Sequence, residues 1–193
     1  MREGWPIRIS DFELALRPLR FRDKSAWDSV RAANREWLAP WEATRPEVDP
    51  DQVLPSFYGM VSFFNREARA GRSLAFGIWI RQDGVEYFAG QITLGGIVMG
   101  AYRGAHIGYW IDQRFANRGY ATRAVRLLTR YAFTDLKLHR IEINMRPENL
   151  ASTRVAQKSG YSFEGVRPRY LHIDGQWRDH LTYVCENNAN PEI

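Results

Sequence analysis

The chain has 193 residues, of which 45% are hydrophobic and 25% charged, and its formal net charge at pH 7 is +5. This size and balance are typical of one globular domain with a full hydrophobic core, so we expect a single domain over residues 1–193. No stretch of about 18 apolar residues occurs, which excludes a membrane-spanning helix. The N-terminal segment lacks the apolar run of a signal peptide, and Cys185 has no second cysteine with which to pair. Both features predict a cytoplasmic protein.

The positive charge is spread along the whole chain. No run of five or six basic residues occurs, and such runs are what usually marks a nucleic-acid-binding tail. A basic protein can still approach nucleic acid or ribosomes through long-range attraction. We therefore expect no DNA partner and no membrane partner, whereas a ribosomal partner stays open.

Hydrophobic periodicity predicts the elements of the N-terminal part. Alternation from Phe12 to Leu19 indicates a first strand. Asp23 is a typical helix N-cap residue, and the helix after it continues to about Asn34. Residues 34–50 contain three prolines and two tryptophans, which exclude a long helix and predict a packed, irregular segment.

The remaining elements follow from the same patterns. A helix over 55–70, a hairpin with strands 74–81 and 85–97, and a bulge or loop at Gly95-Gly96 come first. After them we expect these elements in order: a strand over 105–111, a helix with an apolar stripe over 121–136, a strand over 139–145, a helix over 149–158, and two strands over 161–166 and 171–185, with a frayed tail from 186. This order predicts one α/β domain with a mostly antiparallel sheet.

The stretch over 107–122, IGYWIDQRFANRGYAT, connects a strand to a helix through a loop that contains Gly119. The free N–H groups and the dipole of a helix N-terminus favour an anion, and glycine lets the backbone approach a ligand closely. The loop lacks the Gly-Lys-Ser/Thr ending of a P-loop and is not a dinucleotide fingerprint. By itself it indicates either a phosphate-binding loop or an ordinary strand-to-helix turn.

Two further motifs follow this loop. Residues 146–152, RPENLAS, begin a short helix, and residues 158–165, KSGYSFEG, end that helix and start a strand. In this combination residues 105–166 resemble the GNAT acyltransferase superfamily. The resemblance narrows to the RimJ/RimL-type ribosomal-protein N-terminal acetyltransferases through three more segments, which are LRPL at 16–19, NREWLAPW at 34–41 and GxWxD at 175–179.

The resemblance spans about residues 12–184 and implies a single GNAT-like domain. The sheet would be twisted, mostly antiparallel and splayed in the middle, with helices on both of its faces. The strand ending at Ile111 would diverge from the strand over 140–145, and the pantetheine of acetyl-CoA would lie in the gap. No metal is implied.

The resemblance also implies which residues hold acetyl-CoA. The expected cofactor-binding set is Trp110, Ile111, Ala116, Asn117, Arg118, Gly119, Tyr120, Ala121, Thr122, Asn149 and Ser152. Backbone N–H groups over 116–121 would bind the pyrophosphate, and an N–H near Trp110 and Ile111 would stabilise the oxyanion. Asn149 and Ser152 would be the catalytic residues beside the thiol. Asn149 also suits a helix N-cap, with Ser152 at the third helical position, and the two roles can coexist.

The chain departs from the family at the start of the loop. The family usually has Gln or Arg at the position of Ala116. Because the loop acts mainly through its backbone, we expect binding to survive, with Arg114 or Arg118 compensating near the adenosine.

A general base is not evident. Related enzymes can have a carboxylate after the Glu-Gly strand, where this chain has Arg167, Arg169, Tyr170 and His172. The other candidates are Glu142, Asp112, Asp179 and His106, and each of them also suits a structural role. A poor base favours an α-amine acceptor, because at pH 7 roughly one-tenth of α-amines with a pKa of about 8 are neutral, against about one in 2500 lysines.

Three functions remain open at this point. The first is acetylation of the N-terminal α-amine of a protein, possibly a ribosomal one. The second is acetylation of a small amine or antibiotic, or transfer of a longer acyl chain. The third is a non-enzymatic ribosome- or RNA-binding module, indicated by basic and aromatic residues at 102–103 and 167–170. Residues 34–50 would either plug the core or form a wall of the acceptor cleft. The protein is expected to be a monomer or a homodimer.

Overall fold

The structure is a computed structural model that describes residues 4–46 and 56–187. Within these ranges the chain forms eight strands, five α-helices and three short 3-10 turns. The strands are β1 (Ile9–Ser10), β2 (Leu14–Arg17), β3 (Leu74–Gln82), β4 (Val85–Val98), β5 (Gly104–Ile111), β6 (Arg140–Met145), β7 (Ser162–Ile173) and β8 (Gln176–Glu186). The helices are α1 (Lys24–Ala33), α2 (Arg35–Leu38), α3 (Phe57–Arg69), α4 (Tyr120–Thr134) and α5 (Leu150–Lys158). The 3-10 turns cover Phe21–Asp23, Ala39–Trp41 and Gln113–Phe115.

The eight strands form one mixed sheet in the order β1-β2-β3-β4-β5-β6-β8-β7. All neighbouring pairs are antiparallel except β5 and β6, which are parallel. That parallel pairing covers only residues 104–106 against 140–142, and the two strands then diverge. The predicted α/β fold, with a mostly antiparallel sheet splayed in the middle, is confirmed.

Side chains of the strands alternate between two cores, one on each face of the sheet. Leu14, Leu16 and their neighbours on one face pack against α4 and α5. Ala15 and Trp79 on the other face pack against α1 and α3. Helices therefore cover both faces, as expected.

A close approach between two strands shapes the region around the splay. Gly90 in β4 pairs with Ile111 at the end of β5. A Cβ atom built on Gly90 would lie only 2.2 Å from the carbonyl oxygen of Trp110, so a side chain at this position would force the strands apart. The glycine lets β4 hold the last residues of β5 in place.

The first strand and the first helix differ from the prediction in detail. β2 begins only at Leu14, and Phe12 is fully exposed. α1 begins after Asp23, but the Asp23 carboxylate does not cap it. Instead the carboxylate accepts hydrogen bonds from the Arg17 guanidinium at 2.8 Å and from the Arg20 backbone N–H at 2.7 Å. The Asp23 side chain is therefore used in a buried ion pair with Arg17, and not in the helix cap that the sequence predicts.

The C-terminal hairpin is the main correction to the predicted elements. The sequence predicts a break after 166 and a strand from 171, whereas β7 continues to Ile173. The turn is at Asp174 and Gly175, whose positive φ angles of 49° and 74° are typical of a tight two-residue hairpin turn. A bulge at Arg169, whose N–H donates to Asp179 at 2.7 Å, interrupts the ladder without ending the strand.

The ends of two other predicted segments can be compared only in part. β8 includes Glu186, so the tail does not fray from that residue. Residues 188–193 and the last part of the 34–50 segment lie outside the described residues. No helix in 4–46 or 56–187 combines the length and the apolar character needed to cross a membrane.

Candidate active site

A cleft of about 700 Å³ opens where β5 and β6 diverge. Its volume is in the range of small-molecule sites, which is about 300–1,000 Å³. Ten of the eleven residues in the expected binding set line it: Trp110, Ile111, Ala116, Asn117, Gly119, Tyr120, Ala121, Thr122, Asn149 and Ser152. Arg118 is exposed and is not part of the lining.

The N-terminus of α4 forms one end of the cleft. Gly119 is its N-cap residue, with a left-handed φ of 80°, and no side chain caps the helix. The N–H groups of the first turn have no intrahelical partner, and the first turn carries no acidic residue. This helix end can accept an anion through its backbone.

The two arginines near the loop have different surroundings. Arg114 donates to the carboxylate of Asp112 at 2.6 Å, and Asp112 is only 1% exposed. Arg114 is therefore held by the protein itself. Neither of the two arginines lines the cleft, whereas four other cationic side chains do, against the single carboxylate of Glu148: Arg123, Arg126, Arg154 and Lys158. Of these, Arg123 is itself paired with Asp11 and Glu13. The sequence did not single these out as site residues, because their spacing on α4 and α5 is that of an ordinary solvated helix face.

An unpaired strand edge forms the inner wall of the cleft. β5 pairs with β4 as far as Ile111, but its other edge loses β6 after His106. Backbone groups over 107–111 on that edge have no strand beside them and can bind an extended ligand.

Asn149 and Ser152 meet at the start of α5. The side-chain oxygen of Asn149 accepts a hydrogen bond from the Ser152 N–H at 3.0 Å and so caps the helix. The Ser152 hydroxyl lies beside the Tyr109 phenol, and both residues line the cleft. The cap uses the backbone N–H of Ser152, so the capping role leaves the hydroxyl itself able to meet a ligand.

Tyr109, which the sequence did not single out, also lines the cleft. Its hydroxyl is buried and has no hydrogen-bond partner among the described residues. Burial raises the pKa of Tyr109 to about 12, while the neighbouring Ser152 side chain acts in the opposite direction. The phenol is therefore a protonated donor next to Ser152. The sequence did contain one signal for Tyr109, because it stands two residues before Ile111 and therefore on the same face of β5.

Residues 34–41 form the opposite wall of the cleft. Trp37 and Trp41 line it, while Leu38 is buried in the protein. The indole N–H of Trp37 donates to the carbonyl oxygen of Ile111 at 3.2 Å, and the buried Asn34 accepts from the Gln113 N–H at 2.8 Å. Both alternatives for this segment hold in part, because Leu38 is buried and all three of Trp37, Leu38 and Trp41 line the cleft.

The carboxylates considered as general bases are engaged elsewhere, and none of them lines the cleft. Glu142 accepts hydrogen bonds from Arg167 at 2.7 Å and from Arg140 at 3.2 Å. Burial alone would raise the pKa of Glu142, but the charges and hydrogen bonds of these arginines outweigh it and the pKa is lowered. Asp112 is paired with Arg114, and Asp179 supports the bulge in β7.

His106 is the remaining candidate from the sequence. Burial lowers its pKa, and its ring lies against Gly95 and Gly96. It is in the part of β5 that still pairs with β6, before the cleft opens. In the described parts of the chain, no group of three or more His, Cys, Asp or Glu side chains could hold a metal ion.

Comparison with known proteins agrees with this geometry. Residues 13–162 match the family described as Acetyltransferase (GNAT) domain. The Probable N-acetyltransferase YjcK of Bacillus subtilis is 32% identical over 172 residues, which are 89% of this chain and 93% of that protein. The [Ribosomal protein uS5]-alanine N-acetyltransferase of Escherichia coli is 30% identical over 179 residues, covering 91% and 88%.

A solved structure is similar over the whole chain. The structure described as Mycobacterium smegmatis RimJ in complex with CoA-disulfide has a TM-score of 0.86 and 37% identity, and the match covers 100% of this chain and 93% of that one. Together with the splayed sheet and the uncapped α4, these similarities identify the fold and its cleft. The chain belongs to the GNAT acetyltransferase family, in its RimJ/RimL-type branch.

Proposed function

We propose that this protein acts in the cytoplasm and transfers the acetyl group of acetyl-CoA to the N-terminal α-amine of a protein. The transfer is direct, within a ternary complex, and the acceptor is a ribosomal protein. The observation that carries the proposal is the cleft in which the uncapped N-terminus of α4, the unpaired edge of β5 and the Ser152 side chain meet.

The cleft suits each part of acetyl-CoA. The pyrophosphate binds the backbone N–H groups over 116–121, where the helix dipole favours negative charge. The cationic side chains of α4 and α5 add to this attraction. Pantetheine lies along the free edge of β5 and takes the place of a missing strand. The CoA-disulfide bound in the Mycobacterium smegmatis relative supports the same class of ligand for this chain.

The reaction needs stabilisation of the oxyanion and of the departing sulphur. A neutral amine attacks the thioester carbon, and a backbone N–H near Trp110 and Ile111 donates to the oxyanion. The C–S bond breaks with its electron pair on sulphur, the nitrogen releases its extra proton to water, and the thiolate takes a proton from water. The Ser152 hydroxyl donates a hydrogen bond to that thiolate, whose conjugate thiol has a pKa of about 8.5. Ser152 stays neutral throughout, because its hydroxyl orients and relays a proton rather than ionising.

The α-amine is favoured over lysine as acceptor for a physical reason. Lysine must lose a proton that is held more tightly, at a free-energy difference on the order of 3 kcal/mol. Trp37 and Trp41 give the acceptor side an aromatic wall that fits an extended peptide. The ribosomal acceptor rests on the 30% identity to an enzyme named for alanine acetylation of ribosomal protein uS5.

Mass spectrometry tests this function. The protein is incubated with acetyl-CoA and a panel of N-terminal peptides, lysine-containing peptides with blocked N-termini, polyamines and aminoglycosides. We expect the acetyl group on the α-amine of the peptides. Efficient acetylation of lysine or of small amines without an N-terminal product would refute the proposal.

Ser152→Ala tests the role of the hydroxyl in the same assay. We expect kcat to fall about 10- to 100-fold, within or just below the usual range for proton-transfer assistance, while the Kd for CoA stays the same. The matched control is Thr153→Ala, which removes the neighbouring hydroxyl that donates to the Asn149 carbonyl at 3.3 Å. A control that loses as much kcat as Ser152→Ala would count against the assignment.

A further inference from the structure

We propose that Tyr109 is a positioning residue that acts through Ser152, an inference that rests on the proposed function. The phenol donates a hydrogen bond to Ser152 Oγ, and this leaves the Ser152 hydroxyl hydrogen directed at the departing sulphur of CoA. Tyr109 lines the same cleft as Ser152, and its hydroxyl has no hydrogen-bond partner among the described residues.

Tyr109 and Ser152 belong to elements that are far apart in the sequence. Tyr109 is in the part of β5 that has lost β6, because the pairing of these strands ends at His106. Its side chain is on the face of the sheet that packs against α4 and α5, together with Ile107 and Ile111. Ser152 is the third residue of α5, whose first turn reaches the same cleft. The fold therefore brings the phenol and the serine side by side.

The hydroxyl of Tyr109 is buried but not satisfied. A buried polar group without a partner is costly, and in a native structure it requires an explanation such as a catalytic role. The phenol oxygen is closed to solvent, so it can act on a ligand only through a side chain that lies between them. Ser152 is half-buried, lines the cleft and is close enough to affect the pKa of the phenol. Hydrogen bonds of this kind are often long in a free enzyme and shorten in its complex with substrate.

Another buried phenol provides a comparison, because its hydroxyl is satisfied. The Tyr161 hydroxyl is 2.6 Å from that of Thr129, and both residues are buried. Neither of them lines the cleft. This pair is closed inside the core without any ligand, whereas the pair of Tyr109 and Ser152 is open and faces the cleft. The comparison supports a structural role for the first pair and a role in the reaction for the second.

The chemistry of the two hydroxyls determines the direction of the hydrogen bond. A serine hydroxyl has one hydrogen and two lone pairs, so it can accept from the phenol and still donate to a ligand. Burial raises the pKa of Tyr109 to about 12, which keeps the phenol protonated at neutral pH. If Ser152 donated to the phenol oxygen instead, its hydrogen would point away from the cleft. Because hydrogen bonds in a chain polarise one another, a phenol behind Ser152 makes the serine a better donor to a negative sulphur.

Both residues stay neutral in the transfer step. The amine nitrogen attacks the thioester carbon, the C–S bond breaks, and its electron pair stays on sulphur. The Ser152 hydroxyl donates to the thiolate while the Tyr109 phenol donates to Ser152 Oγ. The nitrogen releases its extra proton to water, and the thiolate takes a proton from water. The two hydroxyls stabilise the charged sulphur and are neutral at the end as at the start.

A double-mutant cycle on kcat tests this coupling, with an amine that the wild-type protein acetylates as the acceptor. Tyr109→Phe removes only the phenol oxygen. We expect kcat to fall about two- to fivefold, within the range of one neutral hydrogen bond, with the KM for acetyl-CoA unchanged. In the Ser152→Ala background the same substitution should cause no further loss, because the phenol has lost the group through which it acts. The matched control is Tyr161→Phe, which should keep the wild-type kcat in both backgrounds.

A second acyl donor separates a role at sulphur from a general distortion of the site. A selenolate leaves more readily than a thiolate, so the selenium analogue of acetyl-CoA needs less help from a hydrogen-bond donor. We expect the loss of kcat in Tyr109→Phe to shrink with this donor. A purely structural defect would slow both donors by the same factor.

The inference is overturned by any of three results: Tyr109→Phe keeps the wild-type kcat, loses as much in the Ser152→Ala background as in the wild-type protein, or slows both donors equally. If Tyr109→Phe does not fold, Tyr109→3-fluorotyrosine replaces it, because this more acidic phenol is a stronger donor. It should raise kcat only while Ser152 is present, and no rise overturns the inference. A protein that acetylates no amine refutes the proposed function and this inference with it, whereas the results above refute the inference alone.

Discussion

The donor side and the acceptor side of the cleft are built from different kinds of contact. The donor side comprises residues 107–122 and 149–158, two short stretches in which a strand or turn leads directly into a helix. The proposed acceptor side comprises Trp37, Leu38 and Trp41, and the residues that follow them at 42–44 are held from behind by the turn of the β7–β8 hairpin. The first side depends on contacts close in sequence, the second on contacts between distant parts of the chain.

The contacts of the acceptor side illustrate this distance. Ala43 forms an isolated bridge with Ile173, and the Thr44 N–H donates to the His172 carbonyl at 2.9 Å. The Gly175 N–H donates to the Thr44 hydroxyl at 3.0 Å. Each of these joins residues more than a hundred positions apart.

The largest expected effect is on the donor side, from Gly119→Val. A Cβ atom at Gly119 meets no protein atom within 4 Å, so a side chain there would project into the space proposed for pyrophosphate. We expect the Kd for CoA, measured by calorimetry, to rise at least about tenfold, because the valine side chain would occupy that space. The φ of 80° also disfavours a β-branched residue by about 1–2 kcal/mol, which lowers the stability of the fold.

Gly84→Val is the matched control for that substitution. Gly84 has a φ of 79° and equally open surroundings, but it is in the turn between β3 and β4. Both variants should lose a similar amount of stability, and only Gly119→Val should lose CoA affinity. Equal CoA binding by the two variants would contradict the loop assignment.

A smaller effect is expected on the acceptor side, from Trp37→Phe. The substitution keeps an aromatic wall but removes the hydrogen bond to the Ile111 carbonyl, which is worth about 0.5–1.5 kcal/mol. We expect the KM for the acceptor peptide to rise about three- to tenfold, with the Kd for CoA unchanged. Trp177→Phe, at an exposed tryptophan outside the cleft lining, should change neither constant. Loss of CoA binding in Trp37→Phe would mean that the two sides are not separable.

The smallest effect is expected from Tyr109→Phe, compared with Tyr161→Phe. Both tyrosines have pKa values raised by burial, but only the hydroxyl of Tyr161 has a partner, Thr129 at 2.6 Å. Removing the unpaired hydroxyl of Tyr109 should leave the free energy of unfolding unchanged or raise it by up to about 1 kcal/mol, whereas Tyr161→Phe should lower it by about 1 kcal/mol. Denaturant unfolding without ligand measures both. Equal destabilisation by the two would show that Tyr109 is paired.

The donor side could be predicted from the sequence because its signals are local. Gly119 before an amphipathic helix, and Asn149 three residues before Ser152, describe backbone geometry within a few residues. The acceptor side could not be predicted in the same way. The sequence predicts a loop after 166, but β7 continues there. Arg169 adopts a positive φ within the strand, and its N–H donates to Asp179 on the opposite strand. That partner is ten residues away in the chain.

The difference between local and long-range contacts also explains which site residues could be identified from the sequence. The cationic side chains of α4 and α5 lie in an ordinary helix pattern, so nothing local distinguishes them. Tyr109 has one local signal, its place on the same face of β5 as Ile111, but its burial beside Ser152 depends on tertiary structure.

The sequence by itself determined the fold class, the order of most elements and the strand-loop-helix stretch that we propose holds an anion, because periodicity, glycine positions and helix caps act over a few residues. The tertiary structure decided where β5 and β6 separate and which wall faces the gap. Those features depend on strand register and burial, which are set by packing between segments far apart in the chain.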